Sequence, residues 1–413
     1  MVENLHQRGS EVSVAQRPSH VMNPLVDDMT SFLHNELRAQ GVKVHLCADM
    51  KRISAQGDAL AVEFVPKGAT ADVDAMVLPA DLVILVIGVV PDSRLAREAN
   101  LALGLKNTIA VDTHMRISDP DIYAVGDAVQ VTHMVTGEPA VISLAGPANK
   151  QGRIAADDIC GLDHEFAGAM GSTIMKLFDL TVASTGLSCE GARRAGIAHD
   201  YVIVPMASHA TYYPGAKSMT LKVVYDTETF EVLGAQIVGC EGVDKRIDVL
   251  AMAIFSGLDC YDLADLDLAY APPYSSAKDP VNIAGYIMQN ICDGISYQVH
   301  WDDVQRDFMD PETRRDTVAV LDTRSAREFD MGHIEGAINI PIDELREHID
   351  EIPVGKQLYV YCGTGLRSYV ACRILDQLGF ESFNVSGGWK FYQTLYLDQR
   401  MQQEGMPPCG FTA

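Results

Sequence analysis

The chain has 413 residues, 47% apolar and 21% charged, a globular balance long enough for two to three domains. Its net charge of −24 repels nucleic acid and excludes it as a partner. The longest strongly apolar run, LVILVIGVV at 82–90, falls far short of the ~20 residues a membrane span needs, so no membrane partner is expected.

In chain order, MVENLHQRG (1–9) reads as a short helix, with Val2 and Leu5 on one face and Gly9 as its stop. EVSVA (11–15) alternates as a strand. No strand and no glycine-rich turn come before that helix. The expectation is a chain that starts inside a dinucleotide-binding domain, just past its glycine loop. A helix at 29–41 follows, then short strands through ALAVEFV (59–65). The run 82–90 reads as a strand buried on both faces. Residues 91–162 hold a strand at 109–112, the segment DPDIYAVGDAV (119–129) and a helix near 148–159. From 163 to 292 the pattern becomes LKVVYD, EVLGAQIVG and a helix at 246–257, an antiparallel sheet with helices on it. The acidic, proline-containing stretch 293–316 reads as a linker, and a compact α/β pattern fills 317–413.

Nine cysteines stand at 47, 160, 189, 240, 260, 292, 362, 372 and 409, without a CxxC pair or zinc spacing. Such an odd, unpatterned set implies reduced thiols in a cytoplasm, mostly small core residues, and no metal centre. The opening residues lack the basic-then-apolar order of a signal peptide.

One cysteine stands apart. The last domain reads as strand VAVLD, loop TRSAREFDMGHIEG, short strand AINI, helix IDELREHI and strand QLYVYC. The loop CGTGLRS follows, then helix YVACRILDQLG, strand SFNVS and turn GGW. Alternating strands and helices argue a parallel sheet, whose ligands sit at the carboxyl ends of strands, and Cys362 ends one. The glycines after it let backbone N–H groups converge on the sulfur. The helix amino end and Arg367 add positive potential that favours a thiolate, or a persulfide. Phosphatases of similar logic place five residues between Cys and Arg. Here four lie between Cys362 and Arg367, a tighter ring that suits a sulfur atom.

DTRSAREFDMGHIEGAINIP, YCGTGLRS and NVSGGW closely resemble the rhodanese family over roughly the last hundred residues. The resemblance implies that Cys362 bears a persulfide, that Arg367 is the loop arginine, and that Asp322 and Arg324 brace the loop. His333 matches a motif position with a structural, hydrogen-bonding reading. Cys372, inside the next helix, reads as core.

Upstream, the strand IYAVG ends in Gly126-Asp127, where a carboxylate can accept hydrogen bonds from a sugar-like hydroxyl or cap the next helix. DPDIYAVGDAV resembles the second FAD motif of the pyridine nucleotide-disulfide oxidoreductases, with Ser118 where that motif commonly has Thr. The resemblance gives Gly126, Asp127 and Ala128 a place at the flavin ribitol. HATYYPGAKSM, GVDKRIDVLAMAI and YAPPYSSAKDPVNIAGY resemble the dimerisation domain of coenzyme A-disulfide reductases and their rhodanese-fused relatives. It implies a homodimer in which Tyr212 and Tyr270 reach the partner's redox cysteine and flavin. Lys278 and Asn149 match coenzyme A contacts.

The resemblance thus implies doubly wound α/β FAD- and NAD(P)-binding parts, an α+β dimerisation domain and a rhodanese-like parallel α/β domain. Its divisions are a partial NAD(P)-binding domain at 1–90, the end of the FAD-binding domain at 91–162, dimerisation at 163–292, the linker 293–316 and the rhodanese domain at 317–413. Gln16 stands where an acid would hold the NAD ribose, and Arg17 follows, which leaves NADPH open beside NADH. The family's first FAD motif, redox cysteine and NAD glycine loop are expected upstream of Met1, so the FAD and NAD(P)H sites are expected to be incomplete. The implied activity is reduction of coenzyme A disulfide, or of coenzyme A persulfide or polysulfide, with low-molecular-weight thiols as partners and Cys362 carrying the sulfane sulfur. The alternatives are an NADH oxidase or peroxidase of the same family, and a truncated scaffold that retains only sulfur transfer.

Overall fold

The computed structural model describes residues 1–22, 25, 27–68 and 75–405, so Cys409 lies outside the described residues. The opening helix Val2–Gln7 ends before Gly9, whose φ of 87° continues the chain in the left-handed region. Strand Ser13–Ala15 pairs in parallel with Lys43–His45, and helix Asp27–Ala39 lies between them in sequence. This is a single βαβ unit. Its helix buries Met29, Leu33 and Leu37 at i, i+4 and i+8, one face of the coil. Strands Ala48–Gln56, Ala59–Pro66 and Met76–Ala80 follow as an antiparallel sheet.

Two expectations fail in this region. Residues 82–90 are not a buried strand. The run forms no regular element, and Leu82, Val86, Ile87, Val89 and Val90 are exposed, Val90 by 89%. A doubly covered strand needs a neighbour on each edge and a layer on each face. Among the described residues no strand pairs with it. The strand expected at 109–112 reduces to isolated bridges, in which Ile109 meets Leu103 and Val129.

The central domain is a five-stranded antiparallel sheet. Its strands run, in spatial order, His199–Ala207, Ser218–Asp226, Val232–Gly239, Leu180–Gly186 and Thr173–Leu177. Helix Val243–Phe255 covers it through Ile247, Leu250 and Ala253. Helices Cys260–Asp265 and Pro280–Cys292 pack beside it so closely that Gly285 has no room for a side chain against Ala264.

The last domain is a five-stranded parallel sheet in the order Tyr297–Val299, Glu381–Val385, Gln357–Tyr361, Val318–Asp322 and Ile338–Asn339. Within the stretch 293–316, read as linker, residues 297–309 belong to this body. Tyr297–Val299 is its edge strand, helix Trp301–Val304 follows, and Trp301, Val304 and Phe308 are buried. The polar spacing of that stretch hid three apolar anchors. The helix expected at 342–349 is instead a run of turns ending in the short helix Ile349–Glu351. Pro341 and Pro353 bracket too few residues to offset the cost of helix nucleation, and i to i+3 bonds such as Glu347 N–H to Glu344 C=O close the turns.

One core runs through all three parts. Met29 and Leu33 of the first, Val182, Ile203 and Val238 of the second, and Trp301, Tyr361 and Phe391 of the third share it. Ion pairs rim this junction. His34 and Arg38 both bond Asp398, at 2.8 and 2.5 Å, and Lys222 bonds Asp28 at 2.5 Å while lying 3.7 Å above the Tyr201 ring. Among the described residues, no helix is long and apolar enough to cross a membrane. No group of three or more His, Cys, Asp or Glu there is placed to hold a metal.

Candidate active site

Cys362 directly follows the central strand Gln357–Tyr361, and helix Leu366–Gln377 starts four residues later. The chain must reverse within Gly363, Thr364 and Gly365. Gly365 takes φ 106°, a conformation costly for a residue with a Cβ. The reversal turns the Gly365 N–H onto the Cys362 sulfur at 3.2 Å, and the Ser368 hydroxyl reaches it at 3.4 Å. Ser368 is fixed in turn by Asn384 on the neighbouring strand, at 2.6 Å, and Asn384 donates to the Gly365 carbonyl. The sulfur therefore lies under the Gly365 N–H with the Ser368 hydroxyl beside it, and the residue is only 1% exposed.

The loop is held from behind. The Cys362 carbonyl accepts from the Trp389 N–H at 2.7 Å, and the Gly363 carbonyl from Lys390 at 3.0 Å. Gly388 makes this approach possible, since a Cβ there would sit 2.7 Å from the Cys362 carbonyl oxygen. Trp389 stacks under Arg324, whose guanidinium carbon is 4.6 Å from its ring. Arg324 is buried and grips the fully buried Asp322 through Nη2 at 2.6 Å and through Nε, and it also bonds the Gly332 carbonyl. Contacts thus run from Asp322 through Arg324 and Trp389 to the Cys362 backbone.

Arg367 lies at the mouth. Its guanidinium forms a two-point ion pair with Glu328 at 2.7 and 2.8 Å, and Nη2 rests over Gly363. Glu328 is pinned from its other side by the Ser325 N–H and hydroxyl. Arg367 above all, and Ser325 after it, hold the Glu328 carboxyl at about 2, and the same pairing raises Arg367. His333 stacks on Phe329 and bonds its carbonyl, a structural arrangement. Cys372 is fully buried, and burial pushes its thiol up to about 12.

The other expected residues lie elsewhere. Tyr212 and Tyr270 meet hydroxyl to hydroxyl at 2.8 Å on an open face of the central domain. Gly126, Asp127 and Ala128 form one tight turn. Gly126 has φ 82°, open space where a Cβ would project, and an N–H fastened at 2.7 Å to the buried Gln151. Asp127 is left exposed, an acceptor at an open edge that fits a hydroxyl-bearing chain such as a flavin ribitol. Ser118 accepts the Ala102 N–H at 3.1 Å. Asn149 bonds Ala145 one turn back in helix Ala145–Ile159, whereas Lys278 lies 5.9 Å from the Tyr286 ring centre. They are held by separate contacts in separate parts of the molecule.

Sequence reasoning missed Glu328, Ser368, Asn384 and Gln151. Only Glu328 carried a signal, as the fourth residue of the helix-capping pattern Ser325–Glu328, and that pattern does not point to Arg367.

Comparison with known proteins bears on the whole chain. The family models for the pyridine nucleotide-disulphide oxidoreductases, for their dimerisation domain and for the rhodanese-like domain match residues 1–152, 173–280 and 302–394. The chain is 35% identical over 290 residues to a coenzyme A disulfide reductase of Staphylococcus aureus, covering 69% of this chain and 62% of the relative. It is 33% identical over 285 residues to an NADH oxidase of Methanocaldococcus jannaschii, covering 69% and 61%. The chain thus spans about three fifths of the length of these curated relatives. The crystal structure of reduced Bacillus anthracis CoADR-RHD superposes with a TM-score of 0.89 at 41% identity, over 96% of this chain and 69% of that one. A NAD-dependent persulfide reductase from A. fulgidus does so at 0.84 and 37%, over 95% and 69%. This chain belongs to the pyridine nucleotide-disulphide oxidoreductases that carry a rhodanese-like domain.

Proposed function

We propose that this chain serves an FAD- and NAD(P)H-dependent reductase of coenzyme A disulfide, coenzyme A persulfide or a related small thiol's persulfide, and that Cys362 carries the sulfane sulfur. The observation that carries the reading is the Cys362 sulfur, set at a strand end under the Gly365 N–H and the Ser368 hydroxyl. Similarity to a coenzyme A disulfide reductase and to a persulfide reductase supports the substrate class.

In sulfur transfer, the Cys362 thiolate attacks the sulfane sulfur of a donor RSS⁻. The donor's S–S bond breaks, RS⁻ departs with that bond's electron pair, and Cys362 is left as a persulfide. The Gly365 N–H offers the sulfur a backbone donor before and after the step. A second thiolate then attacks the outer sulfur, and Cys362 leaves as a thiolate. When bound, FAD would relay reducing equivalents from NAD(P)H to a disulfide, with Gly126, Asp127 and Ala128 at its ribitol. Tyr212 and Tyr270 present paired hydroxyls that can donate to a thiolate, and their exposure suits delivery to a second copy of the chain in a homodimer. Lys278 offers a cation to coenzyme A phosphates, and Asn149 an amide.

Similarity to the NADH oxidase keeps a second reading, in which oxygen or peroxide consumes the reducing equivalents. Two assays decide. Cys362→Ser should abolish thiocyanate formation from thiosulfate and cyanide, whereas Cys372→Ser should keep it; a Cys362→Ser protein that keeps most activity refutes the sulfur-transfer reading. NAD(P)H oxidation that depends on coenzyme A disulfide or persulfide supports the reductase, and oxidation that needs only oxygen favours the oxidase.

A further inference from the structure

We propose that Glu328 is a positioning residue that sets donor specificity: by pairing with Arg367 it cancels the guanidinium charge at the mouth of the Cys362 loop and favours donors whose reacting persulfide group carries a single charge over dianionic thiosulfate. This inference rests on the sulfur-transfer reading above.

The pair comes from two segments 39 residues apart. Arg367 opens the helix behind the loop, and its Nη2 lies over Gly363, next to Cys362. A free arginine there would be the ready anchor for an incoming anion. Here both of its outer nitrogens bond Glu328, whose carboxylate takes two further bonds from Ser325. That carboxylate stays ionised down to about pH 2, so the cancellation holds throughout the working range. The loop's own attraction for anions then falls to a neutral dipole, the Gly365 N–H.

Coulomb attraction is linear in the charge of the incoming group. Restoring one positive charge should therefore shift the logarithm of KM twice as far for a dianion as for a monoanion. Glu328→Gln does this with little disturbance. The amide oxygen can still accept from Ser325 and from one Arg367 nitrogen, so the cap survives while the second bond to Arg367 is lost.

The experiment compares wild type and Glu328→Gln in the full chain, with thiosulfate and with a small-thiol persulfide as donors and cyanide as acceptor. The expected result is a KM for thiosulfate about tenfold lower, a KM for the persulfide about threefold lower, and little change in kcat. Both gains should shrink as salt is raised. A purely structural role would instead raise KM or lower kcat for both donors alike and show no salt dependence. Unchanged donor preference in the variant, with wild-type transfer intact, overturns this inference alone. Absence of any Cys362-dependent transfer in the wild type overturns the sulfur-transfer reading and this inference with it.

Discussion

The hydroxyls of Tyr212 and Tyr270 lie 2.8 Å apart, although 58 residues separate them and they are 76% and 46% exposed. An exposed polar pair has water as an alternative partner, so the contact contributes little to stability. The bond to Tyr212 is the main cause that raises Tyr270 above the ordinary phenol range. Tyr212→Phe should bring the Tyr270 titration back toward that range, followed by NMR on carbon-13-labelled tyrosine. In NAD(P)H-dependent disulfide reduction, Tyr270→Phe should lower kcat about 10- to 100-fold, the size of a lost hydrogen bond to a charged group. Turnover unchanged in both variants would remove the pair from the chemistry.

The brace behind Cys362 should be costly to break. Asp322 and Arg324 are almost wholly buried, and removing one partner strands the other's charge. Arg324→Ala should destabilise the carboxyl-terminal domain by about 3–5 kcal/mol, measured by urea unfolding. It should also slow sulfur transfer, because Trp389, which holds the Cys362 carbonyl, loses the guanidinium it packs on. Arg324→Lys should recover only part of both effects, since an ammonium cannot reproduce the two-point grip.

Acid should test the Glu328–Arg367 pair. The Glu328 carboxyl is held at about 2, below its ordinary 4.5. A depressed carboxylate contributes stability that is fully present above the ordinary value and is lost as pH falls toward 2. Between those limits wild type should lose stability more steeply than Glu328→Gln, whereas above pH 5 the two curves should run parallel. Both partners are about a third exposed, so the difference should be modest and should shrink with salt. Parallel curves across the acid range would show that the pair adds nothing to folding.

Trp301 should behave as a core residue. It is buried, packs tilted against Tyr392 with ring centres 4.5 Å apart and donates to the Gly388 carbonyl. Trp301→Ala should cost about 3–5 kcal/mol by chemical denaturation. It should also open 297–316 to proteases, which leave the wild-type segment largely uncut. Ready cleavage of that segment in the wild type would restore its reading as a tether.

Whatever is written in neighbouring residues is legible from the chain alone. The strand, Cys362, the glycines, Arg367 and the helix are contiguous, and a turn that tight has few solutions, so the residues themselves specify the loop. The same holds for the Gly126–Ala128 turn and for the antiparallel strands of the central domain. The three-part order is legible too, since each part has its own period. Relationships that span the chain belong to the tertiary fold. The partner of Arg367, the meeting of Tyr212 with Tyr270, the grip of Gln151 on Gly126 and the core shared by Met29, Ile203 and Phe391 leave no local pattern. The misread segments fail for the same reason. An apolar run such as 82–90 is buried only if other strands flank it, and a polar stretch such as 297–309 is a tether only if nothing receives Trp301 and Phe308. Apolar periodicity records a side chain's preference for burial, but its packing partners, distant in sequence, decide whether that preference is met.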